Sequence, residues 1–448
     1  MKEGHESLPK SISHWIDPFV IVAVIALSYV ALRASPLNNL FLAIAIVLSV
    51  SIVMVLIEFF RAPWSPIRYR PKFAGGRTFS EALHEATLQW IGLLLYLCLI
   101  LFAWWLLAEY YRPYYKPFFE ALPLILTYGP PLTAIALLFA ELWIGPAQRG
   151  GKELGLLIIR SLSGNPSQAW KSANWITIRD EFLSWVLWGF FLPLNFVEIV
   201  RTLGTIRGNE HLVLSDDWVK AQYYIIMMIY GSLIAAITPG YLFSSRLIRT
   251  DTKMVDHSWF AWTITLICYD PLVSGVFGRW FDYRADSQGE IWIRPWATAF
   301  DGWPLMLLII GGLIIFFELI HLWGEAQFGL RAANISNRGI ITTGLYRLTK
   351  HPIYVSKCAG WLLIWVPFMA AGSAIGNLRY MILWGFVCVI YALRGLAEEK
   401  LLSKDPEFVR YALWIDKHGM FAWVGRFLPI MTFEYRLKKW QEAEVRER

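Results

Sequence analysis

The sequence predicts an all-α, polytopic integral membrane protein of about ten transmembrane helices with both termini on the cytoplasmic side. Three observations carry that expectation. The 448 residues are 56% hydrophobic and only 17% charged, with a mean hydropathy of +0.45, a balance foreign to soluble globular chains. Apolar runs approaching the roughly 17 to 25 residues that cross a hydrocarbon core recur near 18–33, 38–60, 89–110, 122–145, 182–203, 223–245, 259–278, 303–324, 354–371 and 380–396. The 24 Trp and 20 Tyr flank many of these runs, where amphipathic rings favour the membrane–water interface.

Taken in order, the first run follows a polar stretch containing Asp17 and lacks a small-residue cleavage site, so it is expected to remain as an anchor. The sixth and seventh runs are interrupted by Pro239 and Pro271, and the last two are short. Between the fourth and fifth, Gly145 to Arg179 is long and amphipathic enough to hold an interfacial helix on the inner leaflet. The loop Arg279 to Asp301 is rich in Trp and charge and reads as an aromatic interface loop, with a head-group or glycan contact as the sharper alternative. Cys98, Cys268, Cys358 and Cys388 lie in apolar segments without C-x-x-C spacing, which indicates packing residues rather than a disulfide framework or zinc knuckle.

Lys and Arg set the orientation, because they concentrate in cytoplasmic connections. The stretches 61–88, 147–181, 246–258 and 325–353 carry seventeen of them against nine in the alternate connections. Both termini then fall on the cytoplasmic side, and the net charge of +7 is accounted for by topology and contact with anionic lipid. Nothing calls for a nucleic-acid partner.

One stretch carries chemistry. GLYRLTKHPIYVSK, Gly344 to Lys357, is basic and runs straight into an apolar segment. Proline is tolerated at the first helical position, where its missing N–H would be unpaired anyway, so a helix is expected to start at Pro352 with His351 at its cap. The free N–H groups of that first turn suit a carboxylate or phosphate. The next span ends in RGLAEEKLL, Arg394 to Leu402. Two spans of about seventeen residues, roughly 25 Å each, would return Glu398 and Glu399 to the height of His351 and Tyr354. Adjacent helical positions differ by about 100°, so one glutamate is expected to face a shared pocket while the other pairs with a cation, Arg394 standing four residues before Glu398.

HPxY, a hairpin of this spacing and the Glu-Glu pair together resemble the C-terminal signature of the isoprenylcysteine carboxyl methyltransferase and phospholipid methyltransferase superfamily. The resemblance covers roughly 303–430, following an unrecognised membrane region of about seven spans over 1–302 and preceding a basic and charged cytoplasmic tail, 431–448. It implies a membrane enzyme that binds S-adenosylmethionine and methylates a lipid or lipid-modified acceptor at the cytoplasmic face. By position it implies cofactor contacts from Tyr346, His351, Pro352, Tyr354, Glu398 and Glu399, with Arg394 and Glu399 nearest the reaction and no metal. The chain departs from the pattern at Lys350, where arginine is common, at Leu345, where proline often stands, and at Lys404-Asp405-Pro406, departures that bear on the substrate more than on the cofactor.

Other classes remain open on the sequence. A sterol-reductase-like site would use the same hairpin for a nicotinamide nucleotide, with Arg331, Arg338, Arg347, Lys350 and Lys357 as phosphate cations. Glu81-x-x-His84 and Glu318-x-x-His321, with Glu58, Glu141 and Glu198, would suit a carboxylate-bridged metal site. A transporter or lipid-binding scaffold would use the helices broken at Pro239 and Pro271. Glu318, His321 and Glu325 share one face of the eighth span, and ionisable groups at membrane depth are functional candidates in their own right.

Overall fold

The computed structural model describes residues 7–61, 78–145, 149–283, 294–369 and 373–446. Residues 62–77 of the first basic connection and 284–293 of the Trp-rich loop lie outside that set.

The described chain is all-α. In order it forms α1 (Asp17–Leu32), α2 (Asn39–Arg61), α3 (Phe79–Leu106), α4 (Lys116–Trp143), α5 (Gly150–Leu162), α6 (Pro166–Ser172), α7 (Trp175–Ile206), α8 (Trp218–Leu242), α9 (Trp259–Leu266), α10 (Leu272–Gly275), α11 (Arg294–Ala299), α12 (Pro304–Phe328), α13 (Pro352–Trp365), α14 (Ala374–Leu402), α15 (Pro406–His418), α16 (Ala422–Phe427) and α17 (Phe433–Arg446). The described strands are β1 (Met254–Val255) and β2 (Ser336–Asn337), which pair antiparallel. Local sequence explains many of the ends. Thr78 and Glu81 form a reciprocal capping box at α3, Ser373 caps α14, and Asp405 caps α15 ahead of Pro406, each satisfying N–H groups that the helix leaves unpaired.

Among the described residues, seven helical segments are long and apolar enough to cross a membrane: α2, α3, α4, α7, α8, α12 and α14, with short 3-10 turns extending α4 and α12. Three of the ten expected runs do not form helices of that length among the described residues. The first run makes a helix of only 16 residues. The seventh breaks at Pro271 into the 8-residue α9, the four-residue α10 and one π turn, since proline removes a donor and crowds the preceding turn. The ninth stops after 14 residues, because Val366 precedes Pro367 and the α region is disfavoured there. The predicted interfacial segment forms α5 and α6. Gly92 and Gly155 let α5 lie against α3 with backbone almost touching backbone; a Cβ at Gly92 would sit 1.9 Å from the Gly151 carbonyl oxygen.

The main core lies among α2, α7, α8 and α12 with α1 and α3 around it, built on Leu42, Val50, Phe191, Val197, Ala236 and Leu322. Large apolar side chains also cover outward faces, among them Ile52, Phe102, Leu132, Leu305 and Leu378, a surface that water would not stabilise. The four basic connections meet at one end of the bundle. Lys152 pairs with Glu85 at 2.5 Å, Arg149 with Asp251 at 2.6 Å and His257 with Asp180 at 2.7 Å, while β1 and β2 join 246–258 to 325–353. Two of the alternate connections meet likewise, Arg207 donating to the carbonyls of Ser35 and Leu37 at 2.7 and 2.5 Å.

Candidate functional site

The basic stretch before α13 is held from three directions. Tyr346 is buried, donating from its hydroxyl to the Gly324 carbonyl of α12 at 3.3 Å, and its own carbonyl accepts from Tyr411 of α15 at 2.6 Å. Burial pushes both phenols well above their ordinary pKa, so they act as neutral donors. Pro352 occupies the first turn of α13 as the sequence indicates. His351 sits at the cap position, but its side chain does not cap the helix. It reaches α14 instead.

That reach is possible because of Gly395: a Cβ there would lie 3.2 Å from His351 Nε2. The imidazole lies 3.1 Å from Glu399 Oε1 through Nε2 and 3.8 Å from Glu398 Oε2 through Nδ1. Tyr354 donates to Glu398, and its ring stacks on His351 at 5.4 Å between centroids, 6° from parallel. The two ends of the α13–α14 hairpin therefore meet, though not by equal lengths. α13 has 14 residues and α14 has 29.

The two glutamates are sorted. Glu399 is 2% exposed and enclosed by Lys350 Nζ at 3.3 Å, by the His351 imidazole and by Arg436 from α17. Lys350 is shared with Asp416 at 3.2 Å. Glu398 lines a cavity of about 130 Å³ together with Tyr241, Tyr269, Glu325, Asn334, Ser336, Tyr346, Lys350, His351, Tyr354, Lys357 and Arg394. Arg394 stands beside it, Nε 3.4 Å from Glu398 Oε1. The helical pair thus belongs to the glutamate that faces the cavity, and Lys350 and Arg436 neutralise the other.

Arg394 is 4% exposed. Its Nη2 donates to the Tyr269 hydroxyl at 3.1 Å and to Asn334, and its guanidinium lies 5.1 Å from the Tyr354 centroid and 5.2 Å from that of Tyr269. Its Nη1, with Ser336 Oγ, is buried without a hydrogen-bond partner. Unmet buried donors cost about 1 to 3 kcal/mol each, and in a cavity they are where a ligand's acceptors gain most. Among the described residues, Lys357 Nζ has no ion-pair partner and rests 5.9 Å from the Tyr391 ring.

Of the sequence-derived candidates, Tyr346, His351, Tyr354, Arg394 and Glu398 line one cavity, while Pro352 and Glu399 lie behind it. Tyr269, Asn334 and Arg436 carried no signal in the sequence: each reaches the site across a long stretch of chain. The cations that a phosphate-bearing nucleotide would use are largely elsewhere. Arg331 forms a bidentate pair with Glu58, both bonds 2.6 Å; Arg338 donates to the Gly240 carbonyl at 2.5 Å, with burial pushing its pKa down to about 10; and Arg347 is exposed. The carboxylates of the metal reading are also engaged separately, Glu81 in the α3 cap, Glu141 with Arg246 at 3.8 Å and Glu198 with Tyr114 and Arg201. No group of three or more His, Cys, Asp or Glu among the described residues is placed to hold a metal ion. No family model, curated protein or solved structure matches the chain.

Proposed function

We propose that this is a multi-pass membrane S-adenosylmethionine-dependent methyltransferase whose site faces the cytoplasm and acts on a lipid or lipid-modified acceptor. The observation that carries the reading is the meeting of the HPxY turn with the Glu-Glu end around one cavity that also holds unpartnered donors. The donor set suits the cofactor. Glu398 offers a carboxylate for an ammonium or ribose hydroxyls, and Arg394 Nη1 with Ser336 Oγ offer donors for a carboxylate. When bound, the sulfonium supplies an electrophilic methyl group whose transfer needs alignment and exclusion of water more than a catalytic triad.

A volume of about 130 Å³ is below the roughly 300 to 1,000 Å³ of small-molecule clefts. A nucleoside therefore enters with displacement of lining side chains. Lys357, with no ion-pair partner among the described residues, is the lining side chain least held. The stacked His351 also covers part of the Tyr354 ring, so an adenine stacked on Tyr354 uses its remaining surface. The seventeen Lys and Arg that the sequence carries in 61–88, 147–181, 246–258 and 325–353 favour the cytoplasmic leaflet and its anionic lipids.

The test is to incubate membranes containing the protein with methyl-labelled S-adenosylmethionine and extract lipid and protein fractions, alongside calorimetry of S-adenosylhomocysteine on detergent-solubilised protein. Label in a lipid-extractable fraction and saturable binding are expected. Neither label nor binding would overturn the reading.

A further inference from the structure

The hairpin leaves one row of buried ionisable groups without a role. Glu318, His321 and Glu325 stand at i, i+3 and i+7 on α12, which supplies none of the cofactor candidates, and span about 10 Å of helix. Glu318 and His321 are 8% and 6% exposed. His321 Nδ1 is 3.4 Å from Glu318 Oε2, and His321 Nε2 is 3.8 Å from Glu325 Oε1. Glu325 lines the same cavity as His351, Tyr354 and Glu398. The row is brought there by a close crossing: a Cβ at Gly324 would lie 2.7 Å from Ile353 Cγ1 of α13, and Glu318 Oε1 lies 3.5 Å from the Cβ position at Gly360.

The imidazole is informative. When Nδ1–H donates to Glu318, Nε2 is left as a bare acceptor; that atom is buried with no hydrogen-bond partner. An unpaired acceptor at membrane depth, aimed at a carboxylate that itself lines a cavity, costs stability unless a proton arrives there. Resting on the methyltransferase reading, we propose that Glu325, backed by His321 and Glu318, takes a proton from the methyl acceptor, so the acceptor atom is a protic nucleophile (amine, hydroxyl or thiol) rather than a carboxylate.

The step balances without a further reactant. The acceptor's lone pair forms the bond to the methyl carbon as the carbon–sulfur bond breaks, its electron pair remaining on sulfur. The proton on the acceptor atom passes to a Glu325 oxygen and from there to His321 Nε2, while Glu318 stabilises the imidazolium from the other side. A carboxylate acceptor is already deprotonated at neutral pH and gives such a relay nothing to accept. The other charged groups sharing the cavity, Lys350, Lys357, Arg394 and Glu398, come from the Lys350–His351 turn, α13 and α14.

Two measurements on the full chain in membranes test this, with methyl-labelled S-adenosylmethionine as the probe. First, the labelled product is heated in alkali. Methyl esters release volatile methanol, whereas N-, S- and ether-methyl groups do not; retained label is expected, and released methanol would overturn the proposal while leaving the methyltransferase reading intact. Second, Glu325→Gln is expected to lower methyl transfer about 10²- to 10⁴-fold, the usual contribution of acid–base catalysis. It should keep S-adenosylhomocysteine affinity within about twofold, and Glu325→Asp should recover part of the rate. Unchanged transfer in Glu325→Gln, or lost S-adenosylhomocysteine binding, would overturn it by making Glu325 structural or a cofactor contact. The alkali result needs no variant, so misfolding of Glu325→Gln leaves the idea open to refutation. Absence of both label and binding in the unsubstituted protein removes the methyltransferase reading and this inference with it.

Discussion

At the scale of single residues, the two adjacent glutamates separate binding from stability. Glu398 faces the cavity, so Glu398→Gln keeps the shape and loses a charge-assisted bond to a bound ligand. Such a bond is worth about 1.5 to 3 kcal/mol, roughly ten- to a hundredfold in affinity. S-adenosylhomocysteine calorimetry, referred to folded protein, should read that loss, while the thermal midpoint falls less than in a Glu399 variant because Glu398 is partly exposed. Glu399 is enclosed by Lys350, His351 and Arg436, and removing one partner from a buried ionic cluster costs about 3 to 5 kcal/mol because the remaining charges stay buried. Glu399→Gln is therefore expected to lower the midpoint of thermal unfolding in detergent and to reduce ligand binding only in proportion to folded protein. Equal binding losses at equal stability in the two variants would remove the distinction.

At the scale of elements, α17 and the α12–α13 crossing decide whether the site exists. α17 docks through Phe433, fully buried against Phe408 and Tyr411, through the Glu434 N–H on Asp416 at 3.0 Å and through Arg436 on Glu399. Arg436→Met keeps much of the side-chain volume and strips one cation from Glu399. The expected result is release of α17, read as faster proteolytic trimming of residues 433–446 at unchanged cleavage elsewhere; trimming at the normal rate would show that Phe433 alone holds the helix. Gly324 sits where α12 and α13 nearly touch, and an added methyl has no room, since Ile353 would be 2.7 Å away. Gly324→Ala should cost about 1 to 3 kcal/mol, as overpacking does. It should also displace Ile353 and with it the neighbouring His351 and Tyr354, seen as lowered thermal stability together with weakened S-adenosylhomocysteine binding.

At the scale of the whole molecule, the described parts of the positively charged connections gather at the end of the bundle that holds the cavity, so the proposed function requires that end to face the cytoplasm. Ser163 and Asp216 are exposed, in the α5–α6 turn and before α8 respectively. In intact cells, an impermeant thiol reagent should label Asp216→Cys strongly, leaving Ser163→Cys unlabelled until the membrane is permeabilised. The opposite pattern would place the cavity on the outer face and separate it from cytoplasmic S-adenosylmethionine.

The sequence by itself determined the helical class, the apolar surface, the helix start at Pro352 and the pairing of the HPxY turn with the Glu-Glu end. Hydropathy, caps and proline act within a few residues, so their free energies are written locally. It did not determine how many apolar runs become long helices. The runs at 18–33, 259–278 and 354–371 have the composition of spans but yield helices of 16, 8 and 14 residues at their starts, the latter two cut short at prolines. Nor did it determine which glutamate faces the cavity, because the 100° between neighbours on α14 acquires meaning only once α17 brings Arg436 to one side and Tyr354 stands on the other. Tyr269 and Asn334 meet Arg394 from positions 125 and 60 residues away in the chain. Contacts of that separation are fixed by how helices pack against one another, where small residues such as Gly324 and Gly395 set the distance of approach, and only the tertiary structure decides them.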